Sequence, residues 1–300
     1  MSSEEEPKAF MTNLELRESN PDGTEGEGLS HKSMAGLFLL HTLEVAASGE
    51  PWGGLCWVHG QGDHGGRYRK LADVLARSGL AVALADYRGH GQSEGERGHS
   101  WGVPERMRDI TSVTDHLSYM MQPDDPRMIG GQGLGAFYAL CYAIERPDAC
   151  SALVLSSPVL EPHFDVPQKV GGLKGLFKKV GPTSAGTVGY RPDQLTSLGD
   201  EQAAWTSDPL VHDAITVRAA ESIAEGLAKY RPRFGEIACP VLLLQGADDS
   251  IGSVAAAKSL EREGVEVRIE EGARHDLFHD VGAEARMEAV RDWLASTLRK

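Results

Sequence analysis

Short runs rich in Val, Leu, Ile and Ala alternate along this chain with longer stretches whose apolar residues recur every three to four positions. The runs are Leu37 to Val45, Gly54 to Val58, Leu80 to Ala85, Arg127 to Gly131, Ala152 to Ser156, Pro240 to Gln245 and Val265 to Glu270. They have strand length, and most are apolar almost throughout, as strands covered on both faces are. Between them, Arg67 to Ser78, Glu105 to Met121, Leu134 to Glu145, Ser253 to Glu263 and Ala283 to Leu298 carry the helical period. Such alternation predicts an α/β fold with a mostly parallel central sheet and helices on both faces. Residues 161–236 break the rhythm. They mix glycines, prolines, lysines and amphipathic pieces without a central-strand run, which predicts a helical lid or cap inserted between two strands. Residues 1–30 are polar and acidic, end in Pro21-Asp-Gly-Thr-Glu-Gly-Glu-Gly28, and read as a flexible arm. The predicted plan is therefore an arm over 1–30, a core over 31–160 and 237–300, and a lid over 161–236.

Composition narrows the class of partner. A chain of 300 residues that is 41% hydrophobic and 25% charged is long enough for one such core with an insertion. Its net charge of −14 disfavours a nucleic-acid partner held through phosphates. Glu4, Glu5 and Glu6 stand where a signal peptide needs positive charge, and no apolar stretch approaches the roughly 20 residues that span a bilayer, so a cytoplasmic protein is expected. Cys56, Cys141, Cys150 and Cys239 show no paired spacing and sit in or beside apolar runs, which reads as buried packing thiols in a reducing compartment.

Three motifs carry candidate chemistry. His59-Gly60-Gln61-Gly62-Asp63-His64 follows a strand and opens a helix; its glycines let backbone N–H groups approach a ligand, as an oxyanion hole requires, and the plainer reading is a tight strand-to-helix turn. Asp86-Tyr87-Arg88-Gly89-His90-Gly91 also follows a strand, and its charged side chains are expected to brace the floor of a site through hydrogen bonds. Gly131-Gln132-Gly133-Leu134-Gly135 joins a strand to a helix in the frame of the nucleophile elbow Gly-x-Ser-x-Gly, but its middle position has no side chain.

The three motifs, in this order and spacing, resemble the monoacylglycerol-lipase and lysophospholipase branch of the α/β-hydrolases, also described as the serine aminopeptidase-like family, over about residues 37–298. Ser207-Asp208-Pro209-Leu210-Val211-His212 and Leu242-Leu-Leu-Gln245-Gly246-Ala247-Asp248-Asp249 add to the likeness. The resemblance implies Asp249 as the catalytic acid, with Asp248 its rival, and His275 as the general base. It also implies the backbone N–H groups of Gln61 and Leu134 as the oxyanion hole, a small acyl-ester or lipid substrate, and neither cofactor nor metal. His279 is read as a surface or helix-start histidine.

The family's nucleophile maps onto Gly133, which offers neither oxygen nor sulfur for an acyl-enzyme. Cys141 lies two helical turns further on and Ser156 and Ser157 end the next strand, so none is placed to substitute. Three readings follow. The chain is an ester-hydrolase scaffold inactive or strongly impaired as written, through natural loss of the serine or a deliberate serine-to-glycine change. Alternatively, the His275–Asp249 pair performs nucleophile-free chemistry, or the chain is a non-catalytic lipid-binding or acyl-binding pseudoenzyme. Lys169 to Val180 holds four lysines and no acid, with Val170, Leu173, Phe177 and Val180 on one helical face. That face suits peripheral membrane contact or an acyl chain, and equally suits packing over the pocket.

Overall fold

The computed structural model describes residues 7–17, 37–167 and 180–299. In chain order the first elements are β1 (Ala9–Arg17), β2 (Leu37–Val45), β3 (Gly53–Val58), α1 (Arg69–Arg77), β4 (Leu80–Ala85), α2 (Val103–Leu117), β5 (Arg127–Gln132), α3 (Leu134–Glu145) and β6 (Ala152–Ser156). The insertion then supplies β7 (Ala185–Thr187), α4 (Pro192–Leu195), α5 (Gly199–Ser207), β8 (Ala214–Thr216) and α6 (Val217–Tyr230). The chain ends with β9 (Val241–Gly246), α7 (Val254–Lys258), β10 (Val265–Glu270) and α8 (Ala283–Leu298).

All the core strands join one sheet in the order β1-β2-β4-β3-β5-β6-β9-β10. β1 and β2 run antiparallel to their neighbours, and from β4 to β10 every pairing is parallel. The α/β fold predicted from the alternation is the fold observed. α1 and α8 cover one face, with Trp57, Leu71, Leu75, Val290 and Leu294 buried beneath them. α2 and α3 cover the other, over Ile110, Val113, Ile129, Phe137 and Leu153. Burial on both faces explains why β3, β4 and β9 are apolar at nearly every position.

Residues 9–17 correct the expectation of a flexible arm, because β1 pairs with β2 along its whole length, from Ala9↔Val45 to Arg17↔Leu37. The period of two is visible in hindsight: Leu14 and Leu16 pack against the core, while Met11, Asn13 and Glu15 are exposed. Residues 18–30 of that reading lie outside the described residues. The helix expected over 253–263 is also shorter than its sequence pattern, ending at Lys258.

The order β4-β3-β5 makes β3 a topological switch point. Chain segments leaving β3 and β5 diverge there, which opens a crevice at the carboxyl ends of the two strands. The first glycine motif leaves β3 and the third leaves β5. α3 lies close enough to β3 that a Cβ on Gly135 would stand 2.5 Å from the His59 carbonyl oxygen and nearer still to that of Val58. Backbone cannot yield as a side-chain tip can. Gly135→Ala is therefore expected to lower unfolding stability by roughly 3 kcal/mol, read as a shifted urea midpoint.

Candidate active site

β5 enters the crevice fully buried from Met128 onward and turns sharply at Gly133, where φ is 58° and ψ is −118°. The turn is held from both sides. Gly133 N–H donates to the Ser156 carbonyl at 2.9 Å, and the Gly133 carbonyl accepts from Val159 N–H at 3.1 Å and Phe137 N–H at 3.4 Å. A side chain at this φ and ψ carries strain of about 1–3 kcal/mol, which glycine does not.

An ideal Cβ built on Gly133 stands 3.2 Å from His275 Nε2 and 3.7 Å from Val159 Cγ2. The other ring nitrogen, Nδ1, lies 2.9 Å from Asp249 Oδ2. Asp249 is held in turn by N–H groups of Ile251 at 2.8 Å and Gly252 at 2.9 Å and by Gln245 Nε2 at 2.7 Å. Its rival Asp248 points outward and is exposed. Gln132 Nε2 donates to the His275 carbonyl at 2.8 Å, tying the histidine loop to the end of β5.

These contacts set the protonation of the pair. Burial would raise the pKa of Asp249, but the His275 charge and the hydrogen bonds from His275, Gly252 and Ile251 outweigh it and leave the carboxyl at about 2. Burial would lower that of His275, and the Asp249 carboxylate overrides it in the upward direction. The stability that Asp249 contributes is present above the ordinary carboxylate pKa of about 4 and is lost as pH falls toward about 2. The contribution of His275 is present below about 6.5 and is lost as pH rises through its raised value. Asp249→Ala should thus cost most, about 2 kcal/mol, between about pH 4 and 6.5, and less on either side, as urea denaturation across that range would measure.

Gln61, Gly133, Leu134 and His275 line one cavity of about 20 Å³, room for roughly one water. Leu134 is the first residue of α3, so its N–H has no partner within the helix. His59, by contrast, does no chemistry there. Its Nδ1 lies 2.7 Å from the Gly60 carbonyl and its Nε2 accepts from Tyr87 N–H at 3.0 Å. Burial keeps its pKa well below the ordinary histidine value, so the ring is neutral and ties the first motif to the second. At Gly62 (φ 79°) the backbone touches the insertion, its carbonyl accepting from His212 N–H at 2.9 Å.

The second motif braces the site as expected. Asp86 accepts from Gly65 N–H at 2.7 Å and Gln92 N–H at 2.8 Å, and Arg88 Nε donates to Asp109 at 2.8 Å. Glu105 and Arg106 complete this buried ionic cluster, with the Arg106 guanidinium 4.8 Å from the Tyr87 ring centre. No sequence signal marked those acids and bases of α2, because the apolar residues beside them carry the helical period and say nothing of buried charge.

A second polar cluster, drawn from the first glycine motif, which runs on through Arg67 and Tyr68, and from the histidine loop, stands at the cavity wall through Asp63, Tyr68 and Asp276. Arg67 bridges Asp63 at 3.1 Å and Asp276 at 3.0 Å, and Tyr68 Oη donates to Asp63 at 2.8 Å. His279 is not at the surface as expected: it is buried, with Nδ1 2.9 Å from Asp276 and Nε2 2.9 Å from the Arg67 carbonyl. The insertion closes the cavity with Tyr190, Leu195 and Trp205. It also holds the histidine loop directly, since Asp276 N–H donates to the Leu195 carbonyl at 2.8 Å. Nothing in the sequence pairs those residues with the site. Asp208 and His212 of the quoted lid segment reach His64 Nε2 and the Gly89 carbonyl at 2.9 and 3.0 Å, fastening the insertion to two core motifs.

Cys141 is buried in α3, with its thiol pKa raised by burial, and Ser156 and Ser157 are fully buried. The lysine-rich stretch Lys169 to Lys179 lies outside the described residues. Among the described residues no helix is long and apolar enough to cross a membrane.

Residues 49–282 match the family model described as serine aminopeptidase, S33. The chain belongs to that family. Among curated relatives, a monoacylglycerol lipase of Mycolicibacterium smegmatis is 26% identical over 83% of this chain and 90% of its own length. The mouse monoglyceride lipase is 29% identical over 83% of this chain and 84% of its own. The crystal structure of Paleococcus ferrophilus monoacylglycerol lipase superposes with a TM-score of 0.75 at 30% identity, covering 86% of this chain and 99% of that one. This chain is therefore an S33 α/β-hydrolase of the monoacylglycerol-lipase branch, with glycine at the elbow.

Proposed function

We propose that this chain is a carboxylic-ester hydrolase scaffold for monoacylglycerols or similar small acyl esters, in which glycine at position 133 closes the covalent route. One observation carries the reading: a Cβ at Gly133 would stand 3.2 Å from His275 Nε2, with the ring already paired to Asp249. In the proposed roles, His275 is the general base, Asp249 orients it and stabilises the imidazolium, and the N–H groups of Gln61 and Leu134 receive the oxyanion. Asp63 and Asp276, which line the cavity, offer carboxylate acceptors to a hydroxylated head group, and the unpartnered Gln132 Oε1 offers another. The test is to supply the hydroxyl: Gly133→Ser should hydrolyse a short p-nitrophenyl ester and a monoacylglycerol, and a variant no faster than the parent would sink the assignment.

A second reading is favoured by the cavity itself. Space for about one water beside His275 Nε2 fits direct general-base attack by water, without an acyl-enzyme. Under this reading the glycine form has slow esterase activity, at least 10-fold reduced by His275→Ala, and shows no burst phase in stopped-flow measurements. Equal background rates in the two proteins would exclude it.

A further inference from the structure

Two of the four cysteines, unpaired by any sequence spacing, meet in the fold. β6 and β9 are parallel neighbours in register from Leu153↔Val241, and Cys150 and Cys239 each stand two residues before the strand that follows. Leu153 N–H donates to the Pro240 carbonyl at 2.9 Å, which fixes the two strand roots side by side. The sulfur atoms lie 3.8 Å apart and both thiols are free. A disulfide needs about 2.05 Å, so the two sulfurs must draw together by less than about 2 Å.

The two sulfurs differ in access. Cys150 is buried at 5% exposure, whereas Cys239 is only half-buried and reachable from solvent. Arg262 sits beside Cys239, donating to the Phe234 and Ile237 carbonyls at 3.1 and 3.0 Å. The contact with Cys150 draws the Cys239 thiol below its ordinary pKa, burial opposing and the Arg262 charge assisting, while Cys150 is pushed up. Cys56, by comparison, is buried and raised to about 12.

We propose that Cys239 and Cys150 are an oxidisable pair, attacking and resolving thiol respectively, that closes into a disulfide on meeting a hydroperoxide. The Cys239 thiolate attacks the peroxide oxygen, the O–O bond breaks, and the departing alkoxide or hydroxide takes up a proton, leaving a sulfenic acid on Cys239. Cys150 then loses its proton and attacks the Cys239 sulfur, and the hydroxyl leaves as water. Two thiols are oxidised and one hydroperoxide is reduced to an alcohol (or water) and a second water. The bond would close a loop over residues 151–238, which holds the entire insertion, and it lies at the strand roots, opposite the cavity at the strand ends.

Hydrogen peroxide is the probe, applied to the full-length protein at neutral pH. Expected are the loss of two free thiols, a mass decrease of about 2 Da reversed by dithiothreitol, and a peptide cross-linked between Cys150 and Cys239 in a non-reducing digest. In Cys150→Ala the same treatment should instead carry Cys239 on to sulfinic acid, a gain of about 32 Da. Retention of all four thiols, cross-linking between molecules, or sulfinic acid on Cys239 of the unsubstituted protein would each overturn the proposal.

Discussion

Gly133→Ser is expected to raise kcat/KM on a short p-nitrophenyl ester by about 10³-fold or more over the parent chain. The magnitude follows from what a triad member contributes: losing the serine alone costs on the order of 10⁶ in kcat, of which a restored hydroxyl should recover a large part. The geometry around position 133 supports that expectation. The elbow already has the φ and ψ it needs, the imidazole faces it, and Gln61 and Leu134 line the same cavity. The new Cβ would stand 3.2 Å from Nε2, so the imidazole must recede by a few tenths of an ångström as the hydroxyl takes its place. Activity should come with a loss of stability, because serine at φ 58° carries backbone strain of about 1–3 kcal/mol that glycine avoids. A calorimetric melting point lower by several degrees, together with a burst of p-nitrophenol, is the expected pair of results. A revertant that loses stability without gaining activity would refute the assigned roles.

In that revertant, Asp249→Asn should reduce kcat by about 10⁴-fold while leaving the fold intact. The carboxylate receives the Nδ1 proton of His275 at 2.9 Å and so leaves Nε2 free to accept a proton from the serine. Asparagine can present its amide N–H there instead, which favours the wrong tautomer. The pH profile separates this role from a structural one. The base must be neutral, so kcat/KM of the revertant should rise with pH through the raised pKa of His275. With the charge at 249 gone, burial dominates and that pKa falls, so the rising limb should move to lower pH even as the plateau drops. A limb displaced upward, or a loss confined to KM, would contradict the role given to Asp249.

The elbow marks where local pattern and function part company. Sharp turns favour glycine for backbone reasons alone, so Gly133 fits the fold better than the serine its frame resembles, and the backbone around it bears no trace of the missing hydroxyl. The insertion shows the converse. Tyr190, Leu195 and Trp205 close the cavity and Leu195 holds the histidine loop, although nothing in their local sequence distinguishes them from packing residues.

The chain's hydrophobic periodicity, by itself, determined the seven strands of the central sheet between Leu37 and Glu270, the helices on both faces and the place of the insertion, because burial on two faces leaves a signal along most of these strands. The glycine motifs were equally legible, since close backbone approach and sharp turns restrict residue type locally, whereas Asp249 and His275 were picked out only through the family resemblance that those motifs carry. β1 was not legible, its pairing with β2 being a long-range choice and its alternation blurred by the exposed Phe10 and Met11. Only the tertiary structure could set the Asp249 carboxylate 2.9 Å from His275, bury His279 beside Asp276, pair Cys150 with Cys239 and join Arg67 to Asp63 and Asp276. Each of those outcomes depends on the direction of a side chain after distant segments have packed, and periodicity along the chain carries no record of that direction.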